Sequence, residues 1–303
     1  MGMKSKNVDF NMEKVPSMGM TILREIIASK AALVALLLYV GIVVLAFILS
    51  AQLDLAEMSR VHLAYLNRPP EWFGGQFFLG TDHGGRDMVA WLVLGARTSF
   101  GVAFAVTIIS VGFGTLFGLI SGFYGGHTDN VMMRVLDFAI MLPTMPIIIA
   151  VVSLMPHYRV WHFVAIMSVF MWMGTARLIR AAVMRQSALD YVAASKTLGT
   201  RNFTIIFKKV MPNVTSIIVT NSIIALGANM GVEAGLTMVG FGLPFGSPSL
   251  GAQVASALDP RVLTTFRWQW MPAAILIFVM VLCTYIVGTA ISRAVDPKQQ
   301  RQS

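Results

Sequence analysis

Charge is what this sequence has least of. Only 12% of its 303 residues are Asp, Glu, Lys or Arg, while 56% are hydrophobic. A soluble domain carries roughly 25% charged residues, so a water-soluble globular chain is excluded and an all-α integral membrane protein is expected. Cysteine is almost absent. The single Cys283 lies inside an apolar run, which excludes a disulfide framework and a cysteine-based metal site. The histidines, His62, His83, His127, His157 and His162, are scattered, and none forms the i, i+4 pair of a helical zinc site. No glycine-rich stretch is followed by Lys-Ser/Thr. Gly122-Phe123-Tyr124-Gly125-Gly126 runs on into His127-Thr128 and so is not a phosphate loop. No nucleotide-binding motif occurs elsewhere, and any ATP-driven step belongs to another chain. Acids are the scarcer charge, giving a net charge of +9. The bases flank apolar segments as cytoplasmic anchors do, so no nucleic acid partner is expected.

What the sequence does have is long apolar runs. The first thirty residues are polar and mixed in charge, with no cleavable signal peptide apparent. Ala31–Ser50 then runs twenty residues without a charge, roughly 30 Å of helix and one hydrocarbon core. Further spans are expected at Ser99–Gly122, Val135–Leu154, Val160–Thr175 (extending toward Arg180), Val214–Val239 and Pro272–Ser292. That makes six transmembrane helices. With the N- and C-termini cytoplasmic, the inside segments 1–30, 123–134, 176–213 and 293–303 hold 16 of the 23 Lys and Arg residues, the sense of the positive-inside bias. The chain therefore divides into a cytoplasmic leader 1–30, a first span 31–50, an extracytoplasmic loop 51–98, a five-helix core 99–292 and a cytoplasmic tail 293–303.

The most distinctive segment is polar and basic. Asp190–Asn213, DYVAASKTLGTRNFTIIFKKVMPN, lies between two long apolar stretches. Small residues stand at Ala193, Ala194 and Ser195, a glycine at Gly199 and a proline at Pro212. The spacing predicts a short helix, a glycine turn, a second amphipathic helix and a proline stop before a span. Such a design suits docking of a soluble partner.

Several features inside the spans admit two readings. Gly114, Gly118 and Gly122, and again Gly227, Gly231 and Gly235, fall on one helix face each. Such faces permit close helix contact, although glycine is common in membrane helices generally. Asn229 and Glu233 lie roughly opposite the second glycine face, as if lining a wet pathway. Glu233 also suits a local structural role near the outer end of its span, and that reading is preferred. Pro143 and Pro146 predict a kink in the third span, a candidate element of a gated path. Arg134 and Asp137 suggest an i, i+3 ion pair. Gly80–Asp87, GTDHGGRD, offers acids and a histidine but lacks calcium-loop spacing. A structured turn is expected there, with Asp82 or Asp87 paired to Arg86 or capping the next span.

With these stretches in view the chain resembles the permease subunits of the dipeptide/oligopeptide/nickel ATP-binding-cassette importer family, of the second-permease type. The Asp190–Asn213 segment resembles the EAA loop of such subunits. The other matching stretches are Leu79–Asp87, Gly95–Ser99, Gly118–Asp137, Thr175–Arg180, Val239–Gly251 and Asp296-Pro297, in the expected order. The resemblance implies a type I importer (MetI-like) permease fold in the bacterial cytoplasmic membrane. It implies a homologous permease, two cytoplasmic ATPases that bind ATP and Mg, and an extracytoplasmic substrate-binding protein as partners. Ala193, Ala194, Ser195, Gly199 and Pro212 would form the coupling loop to the ATPase. Oligopeptides or dipeptides are the expected cargo, with nickel or a metal chelate as the alternative. The sequence departs from the family pattern in places. Ala193 replaces the usual glutamate, Ser195 the second alanine, Lys209 and Met211 stand where apolar residues are usual, and Leu250 where tryptophan is common. A rival reading, an intramembrane serine protease, needs a nucleophile and base at membrane depth, for which Ser121 and His162 are the candidates.

Overall fold

The computed structural model describes residues 24–54, 60–71 and 76–295. The far N-terminal leader, parts of the loop after the first span and the Asp296-Pro297 motif lie outside the described residues. Among these, no strand longer than an isolated bridge occurs, and the chain is a bundle of helices. They are α1 (Lys30–Ser50), α2 (Met88–Tyr124), α3 (Gly126–Met141), α4 (Thr144–Ser153), α5 (Val160–Met171), α6 (Met173–Ser187), α7 (Asp190–Thr197), α8 (Asn202–Ile205), α9 (Met211–Met238), α10 (Leu250–Ala255), α11 (Pro260–Thr264) and α12 (Met271–Val295).

Four helical stretches are long and apolar enough to cross a membrane: α1, α2, the continuous Asn202–Met238 and the stretch ending α12. Two bent pairs bring the number to six if each counts as one span: α3 with α4, bent by 72°, and α5 with α6, bent by 41°. The α1 helix is apolar all round, with Val34, Leu37 and Leu45 exposed. Such a helix is stable in a lipid environment and not in water.

The central element is α2. Its 37 residues extend over roughly 55 Å, more than one hydrocarbon core, so the expected span Ser99–Gly122 is only its inner part. It begins earlier because Asp87 caps it: the carboxylate accepts from Val89 N at 2.9 Å. It packs along α6 and also meets α1, α5 and α9. The contact with α6 rests on the first glycine stripe. A Cβ added at Gly114, Gly118 or Gly122 would lie 2.6–2.7 Å from the carbonyl oxygens of Trp172, Ala176 and Arg180 in turn. Both helices thus present residues four apart, and only a bare Cα permits the approach.

The second stripe behaves otherwise. Gly227 packs on Thr284 of α12, but nothing lies within 4 Å of a Cβ at Gly231 or Gly235, and both are exposed. The expected assignment of the two faces of α9 is therefore reversed. Its polar residues point into the bundle, because an amide gains more from a hydrogen bond inside the protein than from facing hydrocarbon. Asn229 Nδ2 donates to Thr107 Oγ1 of α2 at 2.9 Å, and Asn221 Nδ2 to Thr175 Oγ1 of α6 at 2.9 Å.

Two further expectations are corrected. Pro143 does not kink a continuous helix but breaks it. Leu142, before the proline, is extended with ψ 135, as the proline ring requires, and α4 starts afresh with Pro146 tolerated in its first turn. Asp137 does not pair with Arg134. Its carboxylate accepts from Arg177 of α6 at 2.6 Å, because the α3–α6 crossing brings a guanidinium there.

Candidate coupling site

The Asp190–Pro212 segment sits at the far end of α2. The α7 helix is short, and its C-terminus turns at Gly199, which has φ +73. That left-handed conformation is costly for any residue with a Cβ. The chain then re-enters a helix at Asn202 and continues to Met238. The expected proline stop is not observed. A π-helical turn over Ile206–Val210 precedes Pro212, with Met211 N donating to Ile206 O, five residues back. The ladder has already left the i→i−4 pattern where the proline cannot donate, so the helix passes through.

One apolar cluster fixes this hairpin to the bundle. Val192 of α7 and Ile205, Ile206 and Val210 of the second limb are buried against Leu119 and Phe123 of α2 and Ile179 and Val183 of α6. The buried face explains which residues remain outside. Ala193, Ala194 and Gly199 are exposed. So are Leu198 and Phe203, at 83% and 70%, two large apolar side chains that the chain itself does not cover. The sequence reading missed these two. Their signal was an apolar residue on each side of the glycine turn in an otherwise polar segment.

Ser195 is the exception among the small residues, being only 2% exposed. Its hydroxyl donates to Tyr191 O at 2.6 Å and accepts from Lys209 Nζ at 2.7 Å. Two departures from the family pattern are thus partners in one hydrogen bond. Asn213 Nδ2 adds a second tie across the hairpin, donating to Tyr191 Oη at 3.2 Å. Lys196 Nζ lies 4.8 Å from the centre of the Phe123 ring, a cation–π contact.

Behind the hairpin lies a half-buried ion pair. Arg180 Nε donates to Asp129 Oδ1 at 2.5 Å, and its Nη2 to the other carboxylate oxygen. Ser121 Oγ also donates to Asp129. This joins the C-terminal end of α2, the first turn of α3 and the middle of α6, all from stretches that carried the family resemblance. It also answers the protease reading. Ser121 is engaged by a carboxylate, and His162 Nδ1 accepts from Arg159 N at 2.9 Å; neither activates the other.

The remaining candidates lie elsewhere. Glu233 is fully buried and Asn229 is 4% exposed. Glu233 Oε1 accepts from Thr237 Oγ1 at 3.0 Å, and Thr237 Oγ1 in turn accepts from Leu243 N at 3.2 Å. The carboxylate thereby anchors the loop after α9. In that region burial, and then the nearby Glu233 charge, push the Tyr158 phenol up from its ordinary value. Pro143 is exposed at the α3–α4 break. The Gly80–Asp87 segment is the structured turn that was expected: Asp82 Oδ1 accepts from Gly84 N at 2.8 Å and Arg86 N at 2.9 Å, and Asp87 caps α2.

The chain is thus a bundle of apolar, partly broken helices with a polar hairpin tied to its end that exposes small and apolar residues. Comparison with known proteins makes this specific. Residues 114–301 match the family described as binding-protein-dependent transport system inner membrane component. The oligopeptide transport system permease protein OppC of Lactococcus lactis subsp. cremoris is 38% identical over 92% of this chain and 94% of its own. AmiD of Streptococcus pneumoniae, also named an oligopeptide transport system permease protein, is 31% identical over 93% and 90%. The dipeptide transport system permease protein DppC of Haemophilus influenzae is 30% identical over 89% and 91%. The chain belongs to the family of binding-protein-dependent transport system inner membrane components, and it is a transport component, not an enzyme.

Proposed function

We propose that this chain is one of two permease subunits of an ATP-driven importer for oligopeptides or dipeptides in a bacterial cytoplasmic membrane. The observation that carries this reading is the 38% identity to an oligopeptide permease over nearly the whole of both chains. The chain crosses the membrane six times with both termini cytoplasmic, counting each bent pair as a span. Its organisation is leader 1–30, first span 31–50, outer loop 51–98, core 99–292 and tail 293–303. A homologous permease completes the pathway. Two cytoplasmic ATPases, which bind ATP and Mg, drive it, and an extracytoplasmic binding protein delivers the peptide.

Residues 181–213 form the coupling loop. Ala193, Ala194 and Gly199 present a low surface to a cleft of the ATPase, flanked by Leu198 and Phe203, while buried Ser195 ties the hairpin from within and exposed Pro212 follows its π-helical turn. The exposure of the two apolar side chains supports this role, since uncovered apolar surface next to a rigid hairpin marks a protein contact. ATP closes the ATPase pair, the hairpin follows, and the broken spans re-pack. Full switching between inward and outward states needs the nucleotide to favour one of them by roughly 5 kcal/mol. A hairpin sharing one buried cluster with α2 and α6 transmits such a preference better than a free loop. The small face of α9, Ala228, Gly231 and Gly235, is a candidate lining for the pathway between the two permeases. Asn229 and Glu233, buried on the other face of α9, and Pro143, at the α3–α4 break, act as supports of their own helices.

Deleting the gene should abolish uptake of a radiolabelled tripeptide, and the intact gene should restore it. Unchanged uptake in the deletion strain contradicts the reading, as does a co-encoded binding protein that purifies with a nickel chelate and no peptide.

A further inference from the structure

Two arginines share a groove at the end of the bundle opposite the coupling hairpin. The groove has a volume of about 880 Å³ and lies between the end of α1, the first half of α2, the start of α5 and the loop after α9. Sequence order gives it a polarity. Arg97, Gly101 and Ala105 all line it and follow one another at four-residue steps along α2. A guanidinium, a bare backbone and a methyl therefore lie in one row, with the charge nearest the helix start. On α5 the order is the same. Arg159 precedes the first turn, and Val160 and Val164 follow it into the groove. Phe47 of α1 adds a further apolar wall. Nothing lies within 4 Å of a Cβ added at Gly101, so the row is open to an occupant there.

The charges of the groove are uncompensated. Arg97 and Arg159 are both exposed, and no residue lining the groove is an acid. The ion pairs among the described residues join Arg86 to Asp82, Arg177 to Asp137 and Arg180 to Asp129; neither groove arginine takes part. Arg97 is oriented without being neutralised, since its guanidinium carbon lies 5.7 Å from the centre of the Phe47 ring. Trp161, 61% exposed on the same groove, marks the level of a membrane interface, where such amphipathic rings collect. A free anion would meet the guanidinium groups and leave the apolar row bare. A hydrocarbon would cover the row and leave the charges unmet. A molecule with a phosphate at one end and an acyl chain at the other does both. Arginine forks bind phosphate oxygens in pairs, and basic pockets between membrane helices hold anionic headgroups.

We propose that this groove is a binding site for one anionic phospholipid of the leaflet opposite the coupling hairpin, with the phosphate on Arg97 and Arg159 and an acyl chain along Gly101 and Ala105. The proposal needs a chain that spans a membrane and is independent of the cargo. Its test is native mass spectrometry of the full chain in detergent, titrated with phosphatidylglycerol or with phosphatidylcholine of the same acyl chains. The native chain should retain one phosphatidylglycerol saturably and prefer it to phosphatidylcholine roughly fivefold or more. Arg97→Gln and Arg159→Gln should each weaken that retention roughly fivefold, the worth of one base at a membrane surface, and the double variant should lose the preference. Gly101→Leu places a side chain in the open row and should abolish saturable retention of both lipids. All variants are compared at equal monodisperse yield, and Arg159→Gln, which leaves the Phe47 contact intact, carries the test if Arg97→Gln is lost to misfolding. Glycerol 3-phosphate, the headgroup without chains, should not displace the lipid. Equal retention of the two lipids by the native chain overturns the proposal, as does an undiminished preference in the double variant. Displacement by glycerol 3-phosphate overturns it in favour of a free phosphate compound.

Discussion

The hydrogen bond between Lys209 and Ser195 gives the sharpest test of how the hairpin is built. Ser195 is buried, while Lys209 is exposed. Lys209→Met keeps the aliphatic stem and removes the ammonium. Ser195 then still donates to Tyr191 O, so it is not orphaned, and the loss is that of one charge-assisted bond discounted for solvent exposure. About 1 kcal/mol is expected. Ser195→Ala removes the same bond from the other side and also the bond to Tyr191 O, giving about 1–2 kcal/mol. Ser195→Ala with Lys209→Met counts the shared bond once. The double variant should then fall short of the sum by about 1 kcal/mol, well above the ~0.3–0.5 kcal/mol scatter of independent sites. The assay is reversible unfolding of the purified chain by SDS in mixed micelles, read as a double-mutant cycle. Additive losses would refute the pairing, and the two departures from the family pattern would be unrelated. The cycle also bears on evolution of the hairpin. A sequence with alanine and an apolar residue at these places forgoes this bond and leaves no polar group stranded, which is the asymmetry that lets both solutions exist.

Three further outcomes are expected. Gly199→Arg should abolish peptide uptake while the protein stays in the membrane, because φ +73 resists a Cβ and the side chain projects into the docking surface; normal uptake would remove this turn from the coupling element. Gly118→Leu should cost at least 1–3 kcal/mol in the same SDS titration, since its Cβ would meet Ala176 O at 2.7 Å, whereas Gly231→Ala, with open space around it, should be near neutral; equal effects would deny that the first stripe is the packing face. In a chain with buried Cys283 as the only native thiol, a maleimide that cannot cross membranes should label Phe245→Cys in intact cells and Ala188→Cys only after the membrane is opened; the opposite pattern would invert the topology.

The parts of the fold that the sequence makes legible are those where one physical term dominates. Apolar length alone locates the spans, because no other structure satisfies twenty consecutive apolar residues. Regular glycine spacing marked the face of α2 that packs closely, though not α6 as its partner, because nothing else lets two backbones come so close. The Asp82 turn was legible because its acids, glycines and cap position all agree. The ends of the elements were not. The α2 helix runs eleven residues before Ser99 on the strength of one cap at Asp87, a signal that an apolar-window reading discards. Pro212 looked like a stop because its missing N–H is visible in sequence, while the π turn that absorbs it is not.

The two faces of α9 show where the limit lies. Asn229 and Glu233 opposite a glycine stripe are equally compatible with polar groups facing water and with polar groups turned inward. The sequence holds the stripe but not its partner, and the choice depends on whether Thr107, Ser99 and the loop at Leu243 stand within reach. They do for Asn229 and for one oxygen of Glu233, while Glu233 Oε2 is buried without a hydrogen-bond partner among the described residues. The consequence is functional. With the polar stripe turned into the bundle, the surface that α9 offers outward is the bare one around Ala228, Gly231 and Gly235. A smooth backbone-lined surface makes few side-chain demands on whatever passes or packs against it. That suits a path for peptides of varied sequence better than a row of fixed carboxylates and amides would, since each fixed polar group left unpaired by a given cargo would cost on the order of 1–3 kcal/mol. On this argument selectivity belongs upstream, in the binding protein, and Gly231→Glu should impair uptake of all peptides alike rather than change which ones are preferred.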